Sequence, residues 1–242
     1  MFRCHVCGSL SPNLSQMDLD KVEITVKAMS DNIIIIESQS PDFPEALRNR
    51  ALMAPVPRIW AIGNLGILQT RPLGFFCSTR CPGNIILRTY DLAQTLRAAR
   101  ISVIGGFHAP MEKECLDLLL RGDQPLVICP ARSIERMRLP VAWRKPLDQA
   151  RLLILSPFEI HHRRPTAELA EQRNRFVATL ADTIFVAHAP PGSKTARLCA
   201  AIAAQDKRIY TLDLAENAHL MQRGVAGDSA RALVERIASS RR

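Results

Sequence analysis

From Leu73 onward, short apolar runs alternate with stretches whose apolar residues recur at helical spacing. Leu73 to Phe76, Ile101 to Ile104, Leu126 to Ile128, Leu152 to Leu155, Thr183 to Ala187 and Arg208 to Leu212 read as buried strands. A brief continuous apolar run between polar turns fits a strand that is covered on both faces. Between most of these runs the period lengthens and predicts helices at Ile85 to Ala99, Met111 to Leu120, Thr166 to Leu180 and Thr195 to Ala204, with a last one at Ser229 to Ser239. Strands separated by helices of this length need crossover connections, which make the sheet parallel and put helices on both of its faces. The predicted fold class is therefore α/β, a Rossmann-like, mostly parallel sheet over residues 41–242. Residues 1–40 lack the pattern and read as a short N-terminal extension with a Cys-x-x-Cys at Cys4 and Cys7.

The length, 242 residues, suits one large domain with a small appendage. With 47% hydrophobic and 23% charged residues, a disordered chain is excluded. The longest apolar runs, such as Ile33 to Ile36, are far short of the roughly 20 residues that cross a bilayer as a helix. Met1 to Gly8 has no apolar signal-peptide segment. The expectation is a cytoplasmic protein with no membrane partner. Seven cysteines without regular spacing predict reduced thiols rather than a disulfide framework. A formal charge of +9 and a pI near 9.6 favour a polyanionic partner, because each cation that meets a phosphate releases condensed counterions.

Ligands of open parallel sheets bind outside the carboxyl ends of the strands, near the point where the strand order reverses. The loops that matter are then residues 77–83, 105–110, 129–138, 156–165 and 188–194. In the last of these, Gly192, Ser193, Lys194 and Thr195 lead into an apolar helix. Exposed N–H groups and the positive end of the helix dipole make an anion cradle there, with Ser193 as a plain helix cap the competing reading. It is not a P-loop, since Ser193 stands where that motif needs glycine. Arg173 interrupts the apolar stripe of Leu169, Phe176 and Leu180, so it needs an anionic partner, either a ligand or an internal carboxylate, or must snorkel to water. Arg175, and Arg163 with Arg164 behind His161 and His162, add charge nearby. Gly105 and Gly106 allow the backbone to approach a ligand or the next helix closely. His108 and His188 also fall at this edge, where a lone histidine is more often structural than catalytic.

Cys4 and Cys7 form half of a zinc knuckle, and Cys77 with Cys81 is the candidate other half. Four tetrahedral ligands would close such a site. A zinc shared between two chains through Cys4 and Cys7 is the alternative, and the remaining reading is a chain without cofactor. No H-E-x-x-H or G-x-S-x-G motif occurs, so no catalytic residue is assigned.

Several segments resemble one family. They are Ser40 to Leu47, and Pro57 to Leu65 with its Gly63, Asn64 and Leu65. Ser78 and Arg80 fall where that family has Gly-Ser-Arg. Gly105 to Glu112 falls where it has Ser-Gly-x-Ala-x-Gly-x-Asp. Arg173, Asn174 and Arg175 match its Arg-Asn-Arg, followed by a similar helix and strand. Over Pro41 to Asp213 the chain looks like the Rossmann-like domain of the DprA/Smf DNA-processing proteins, whose superfamily also includes the LOG-type nucleotide-processing enzymes. The resemblance implies a homodimeric, non-enzymatic mediator that binds single-stranded DNA and helps to load a RecA-type recombinase. Phosphates would be held by the Ser78, Arg80, Gly105 and Gly106 loops, by Arg163, Arg164, Arg173, Asn174 and Arg175, and by Gly192 to Thr195. This length leaves no room for the N-terminal sterile-alpha-like and C-terminal winged-helix domains of full-length relatives.

Aromatic residues are only 5% of the chain, so base stacking cannot dominate. Phe107 is the candidate stacking residue, and a place in the core is its competing reading. The alternative function is a LOG-like enzyme or sensor that accepts a nucleotide in the same pocket. Against turnover, Pro191 to Thr195 lacks the downstream glutamate of the LOG loop. A third reading is an interaction module recruited through metal at Cys4 and Cys7.

Overall fold

The structure is a computed structural model that describes residues 33–48 and 52–239. Its centre is a nine-stranded sheet in the order β1-β2-β6-β5-β4-β3-β7-β8-β9. The strands are β1 (Ile34–Glu37), β2 (Arg58–Gly63), β3 (Leu73–Phe76), β4 (Val103–Gly105), β5 (Leu126–Ile128), β6 (Leu152–Ser156), β7 (Thr183–Val186), β8 (Arg208–Leu212) and β9 (Ala226–Asp228). From β6 across to β9 every pairing is parallel, and only β2 runs against its neighbours. The six strands read from the apolar runs are all present.

Side chains alternate across a strand, so a parallel sheet with two covered faces has to be apolar on both. Ile104, Val127, Leu153 and Leu155 join one core cluster with Phe176, Val177 and Ile202. Their chain neighbours Val103, Leu126, Leu152 and Ile154 are equally buried on the other face. That face is covered by α1 (Gly83–Ala98), α2 (Pro110–Leu120), α3 (Val141–Asp148) and α7 (Ala230–Ser239), which contact one another in sequence-distant pairs. The first face carries α4 (Ala167–Leu180) and α5 (Lys194–Ala203). A short α6 (Ala218–Met221) follows β8.

Three strands, α3 and the four-residue α6 escaped the sequence pattern. The sheet begins at Ile34, inside the stretch read as an extension, because one apolar run at a chain end gives no periodicity to judge. β2 follows a proline-rich lead-in, and β9, with sequence Ala-Gly-Asp, is an edge strand with no large apolar residue. In α3, Pro140 stands at the N-cap and Pro146 inside the helix, so eight helical residues read as loop.

The chain builds β3, β4, β5 and β6 outward on one side, then returns so that β7 pairs with the free side of β3. Gly74 and Phe75 are registered with Ile104 and Gly105 on one flank and with Ile184 and Phe185 on the other. The crevice between the loops after β3 and β7 is therefore the topological switch point of the sheet.

Candidate nucleic-acid interface at the carboxyl edge

The two switch-point loops are joined by their backbones. Ala187 N donates to Phe76 O at 2.8 Å and Ser78 N to His188 O at 2.9 Å. The Ser78 side chain is buried, yet its hydroxyl has no hydrogen-bond partner. A buried hydroxyl left unpaired costs about 1–3 kcal/mol, so this is the position at the edge where a ligand oxygen would gain most. Beyond it the chain surfaces, and Arg80 is exposed.

One carboxylate organises the next pair of loops. Glu112, buried in the first turn of α2, accepts from Cys77 N at 2.9 Å, His108 N at 2.9 Å and Ala109 N at 3.2 Å. It thereby holds the loops after β3 and β4 together and satisfies N–H groups at the α2 N-terminus.

The double glycine serves a packing need. A Cβ on Gly106 would lie 1.7 Å from Arg173 Nη1, and one on Gly105 would lie 3.1 Å from the Phe107 ring. The close approach is thus to an arginine of α4 and to an aromatic ring. Phe107, at a φ of 47°, is buried against Phe75 with ring centroids 6.5 Å apart, so it belongs to the core and is not offered for base stacking.

Arg173 is 3% exposed, and the internal carboxylate offered as one partner from sequence is not the one it has. Its Nη1 donates to Cys129 O at 3.0 Å and its Nε to Asn174 Oδ1 at 2.7 Å. Among the described residues no carboxylate comes within 4.0 Å of it, so neutral oxygens replace the internal ion pair. Burial pulls its guanidinium below the ordinary arginine range and the charge of Glu112 opposes that shift. The side chain stays charged, as arginine does in proteins. Arg175, two residues on, faces away around the helix, and its Nη1 donates to Leu52 O at 3.1 Å.

After β7, Gly192 takes a φ of 74° and Ser193 caps α5, its Oγ accepting from Ala196 N at 3.0 Å. The capping reading of Ser193 is thus realised, with the helix N-terminus still at the edge. Lys194 Nζ pairs with Glu171 Oε1 on α4, and that hydrogen bond draws the Glu171 carboxyl below its usual range. Thr195 is half-buried in the first turn.

Sequence reasoning overlooked three arginines. The loop after β5 carries Arg132, Arg136 and Arg138, and the loop after β6 carries Arg163 and Arg164. These loops are tied by Ser133 N donating to His162 O at 2.8 Å and Ser156 Oγ to Arg132 O at 2.8 Å. Among the described residues none of the five arginines forms an ion pair, and neither does Arg80. The two carboxylates in the same loops are engaged locally, Glu135 with Ser133 and Glu159 with His161. The arginines were visible in the sequence, but the folding of their loops onto one another was not. The edge thus presents arginines over β6 and β5, a packed centre over β4, and an unpartnered hydroxyl beside a helix N-terminus over β3 and β7. With strands about 4.8 Å apart, that row is roughly 19 Å long.

The described residues hold no convergent group of three or more histidine, cysteine, aspartate or glutamate side chains fit for a metal. Cys77 lies buried at the end of β3, where hydrogen bonding to Cys81 and burial push its thiol up and disfavour the thiolate a metal needs. Cys4 and Cys7 lie outside the described residues. No described helix is long and apolar enough to cross a membrane.

The fold is similar to that of DNA processing protein A from Streptococcus pneumoniae, at 15% identity and a TM-score of 0.68, covering 86% of this chain and 75% of that one. It is also similar to DNA processing protein A from Helicobacter pylori, at 18% identity and a TM-score of 0.67, covering 86% and 96%. The Helicobacter pylori protein is described as binding single-stranded DNA in a unique mode. No curated protein matches the chain significantly. The profile of the DNA recombination-mediator protein A family matches residues 28–231, and the chain belongs to that family.

Proposed function

We propose that the carboxyl edge binds single-stranded DNA through its phosphates, in the service of recombination mediation. The observation that carries this reading is the row of arginines along the edge without carboxylate partners among the described residues, ending at the buried, unpaired Ser78 hydroxyl. Cations held apart from carboxylates near helix N-termini repel one another and are relieved by an anion. A backbone-tracking mode also suits a site whose one central aromatic is buried. Arg80, Arg163 and Arg164, with Arg132, Arg136 and Arg138, meet the backbone. Ser78, Ser193 and Thr195 with the α5 N-terminus take a phosphate at the switch point. Gly105, Gly106, Arg173 and Asn174 shape the floor between them, while Arg175 and Lys194 brace α4. The family description and the Helicobacter pylori relative support DNA as the ligand. A RecA-type recombinase and a second copy of the chain are the partners that follow from family membership.

The test is fluorescence anisotropy of labelled oligothymidylate across a salt series, with mononucleotides as competitors. Binding that weakens steeply with salt and resists mononucleotides is expected. Weak DNA binding beside saturable binding of a mononucleotide would overturn the reading in favour of a nucleotide pocket.

A further inference from the structure

A buried polar relay ends on a single imidazole at the switch point. Thr211 and Asn217 are fully buried, and His188 is 7% exposed. Thr211 Oγ1 donates to Val186 O at 2.8 Å, so it accepts from Asn217 Nδ2, also at 2.8 Å. The same amide nitrogen donates to Ala187 O at 3.0 Å. Those acceptors fix the orientation of the amide, because its oxygen could not face a carbonyl. Asn217 Oδ1 must therefore be the atom 2.9 Å from His188 Nδ1, and it accepts the Nδ1 proton. Nε2 is left as the working nitrogen of the ring, without a partner among the described residues.

The surroundings determine what would meet that nitrogen. His219, on α6, stands edge-on to His188 with ring centroids 6.3 Å apart, but its Nε2 is committed to Ala189 O at 2.6 Å. In the loop after β3, Ser78 N donates to His188 O, and the Ser78 hydroxyl is the unpaired group described above. Cys77, next to it, keeps its proton, its thiol being pushed up. No carboxylate reaches His188 within 4.0 Å among the described residues.

Building on the DNA reading above, we propose that His188 contacts the ligand directly. When a DNA phosphate enters the switch point, Nε2 takes up a proton and donates a hydrogen bond to the phosphate, with Ser78 Oγ donating a second. Asn217 and Thr211 are positioning residues: Asn217 Oδ1 accepts from Nδ1 in both charge states and holds the ring while Nε2 changes. The bound state then carries more protons than the free state, so by linkage the affinity falls as pH rises.

Isothermal titration calorimetry of oligothymidylate binding to the full chain, at one near-neutral pH in two buffers of different ionisation enthalpy, counts the protons taken up. Wild type is expected to take up protons. His188→Gln should bind several-fold more weakly and take up fewer, whereas His219→Gln should match wild type. His108, His161 and His162 remain in every variant, so the difference isolates His188. Undiminished uptake in His188→Gln overturns the inference and leaves the DNA reading standing, whereas a wild type that binds no DNA overturns both. Should His188→Gln fail to fold, ring 15N shifts of His188 in wild type decide the matter. Nε2 moving to its protonated range on adding DNA is expected, and an unmoved Nε2 rules the proposal out.

Discussion

The two ends of the sheet use their cations in opposite ways. At the amino end, where helices terminate and carbonyls are left over, several cations are engaged by the protein. Lys207 Nζ donates to Ala178 O and Thr179 O at 2.7 Å and to Ala181 O at 2.9 Å, closing the end of α4. Arg151 Nη2 donates to Leu120 O at the end of α2. Arg71 pairs with Asp182 at 3.6 Å and Arg100 with Asp123 at 3.8 Å. Even the hollow of about 570 Å³ on this side, among Phe43, Leu65, Leu68 and Leu180, contains the paired Arg71 and Asp182. At the carboxyl end helix N-termini are already positive, and six arginines there add to that field without ion-pair partners among the described residues. Several cations of the amino end are thus held by the protein itself, although Arg151 Nη1 and Gln124 Oε1 stay unpaired there among the described residues. Mutations should therefore separate stability from binding according to the end they touch.

The largest effect is expected where the carboxyl edge is also core. Gly106→Ala sets a methyl group onto the Arg173 guanidinium, and overpacking of this kind costs about 2–3 kcal/mol. Thermal unfolding should show a midpoint lower by about 5–10 °C, with DNA binding lost as the edge rearranges. A melting curve like that of wild type would mean that Arg173 has room to move. Next, Lys207→Met strips three carbonyls of their donor at the amino end. Stability should fall by about 1–2 kcal/mol with DNA affinity unchanged, and a matching loss of affinity would break the contrast between the ends.

Arg163→Ala combined with Arg164→Ala is the converse. Stability should stay within about 0.5 kcal/mol. The slope of log affinity against log salt should become shallower by about 1.4, two contacts at roughly 0.7 each for single strands. An unchanged slope would take the β6 loop off the DNA path. The smallest effect belongs to Arg100→Gly. Arg100 holds a left-handed φ of 54°, strain worth about 1–2 kcal/mol that glycine relieves. The entropy glycine loses on folding, about 0.5–1 kcal/mol, and the exposed pair with Asp123 offset most of that gain. A rise of a few tenths of a kcal/mol is expected in denaturant unfolding, and a fall would show that the ion pair outweighs the strain.

This contrast between the ends is only half legible in the sequence. Apolar runs reveal where strands lie, and strand ends then mark the loops, so the double glycine and the α5 N-terminus could be singled out, while Ser78 came from the family resemblance. Partnership is another matter. Arg173 advertised itself by interrupting an apolar stripe, but its acceptors, the carbonyl of Cys129 and the side chain of Asn174, carry no compositional signal. Lys194 looked like a free cation until α4 brought Glu171 beside it. Asn217 lies 29 positions beyond His188, and no periodicity links an asparagine after one strand to a histidine after another. Sequence shows which groups stand at an edge, and only the fold shows which of them are already taken.

Glu112 gives that distinction a use. By accepting from Cys77, His108 and Ala109, it stands at the N-terminus of α2 as a resident anion, so that helix start carries its own carboxylate stopper. The α5 start has only the Ser193 hydroxyl as its cap, so DNA bound along the edge as proposed would meet two unequal helix starts. Replacing the stopper with a neutral side chain would make the two starts more alike.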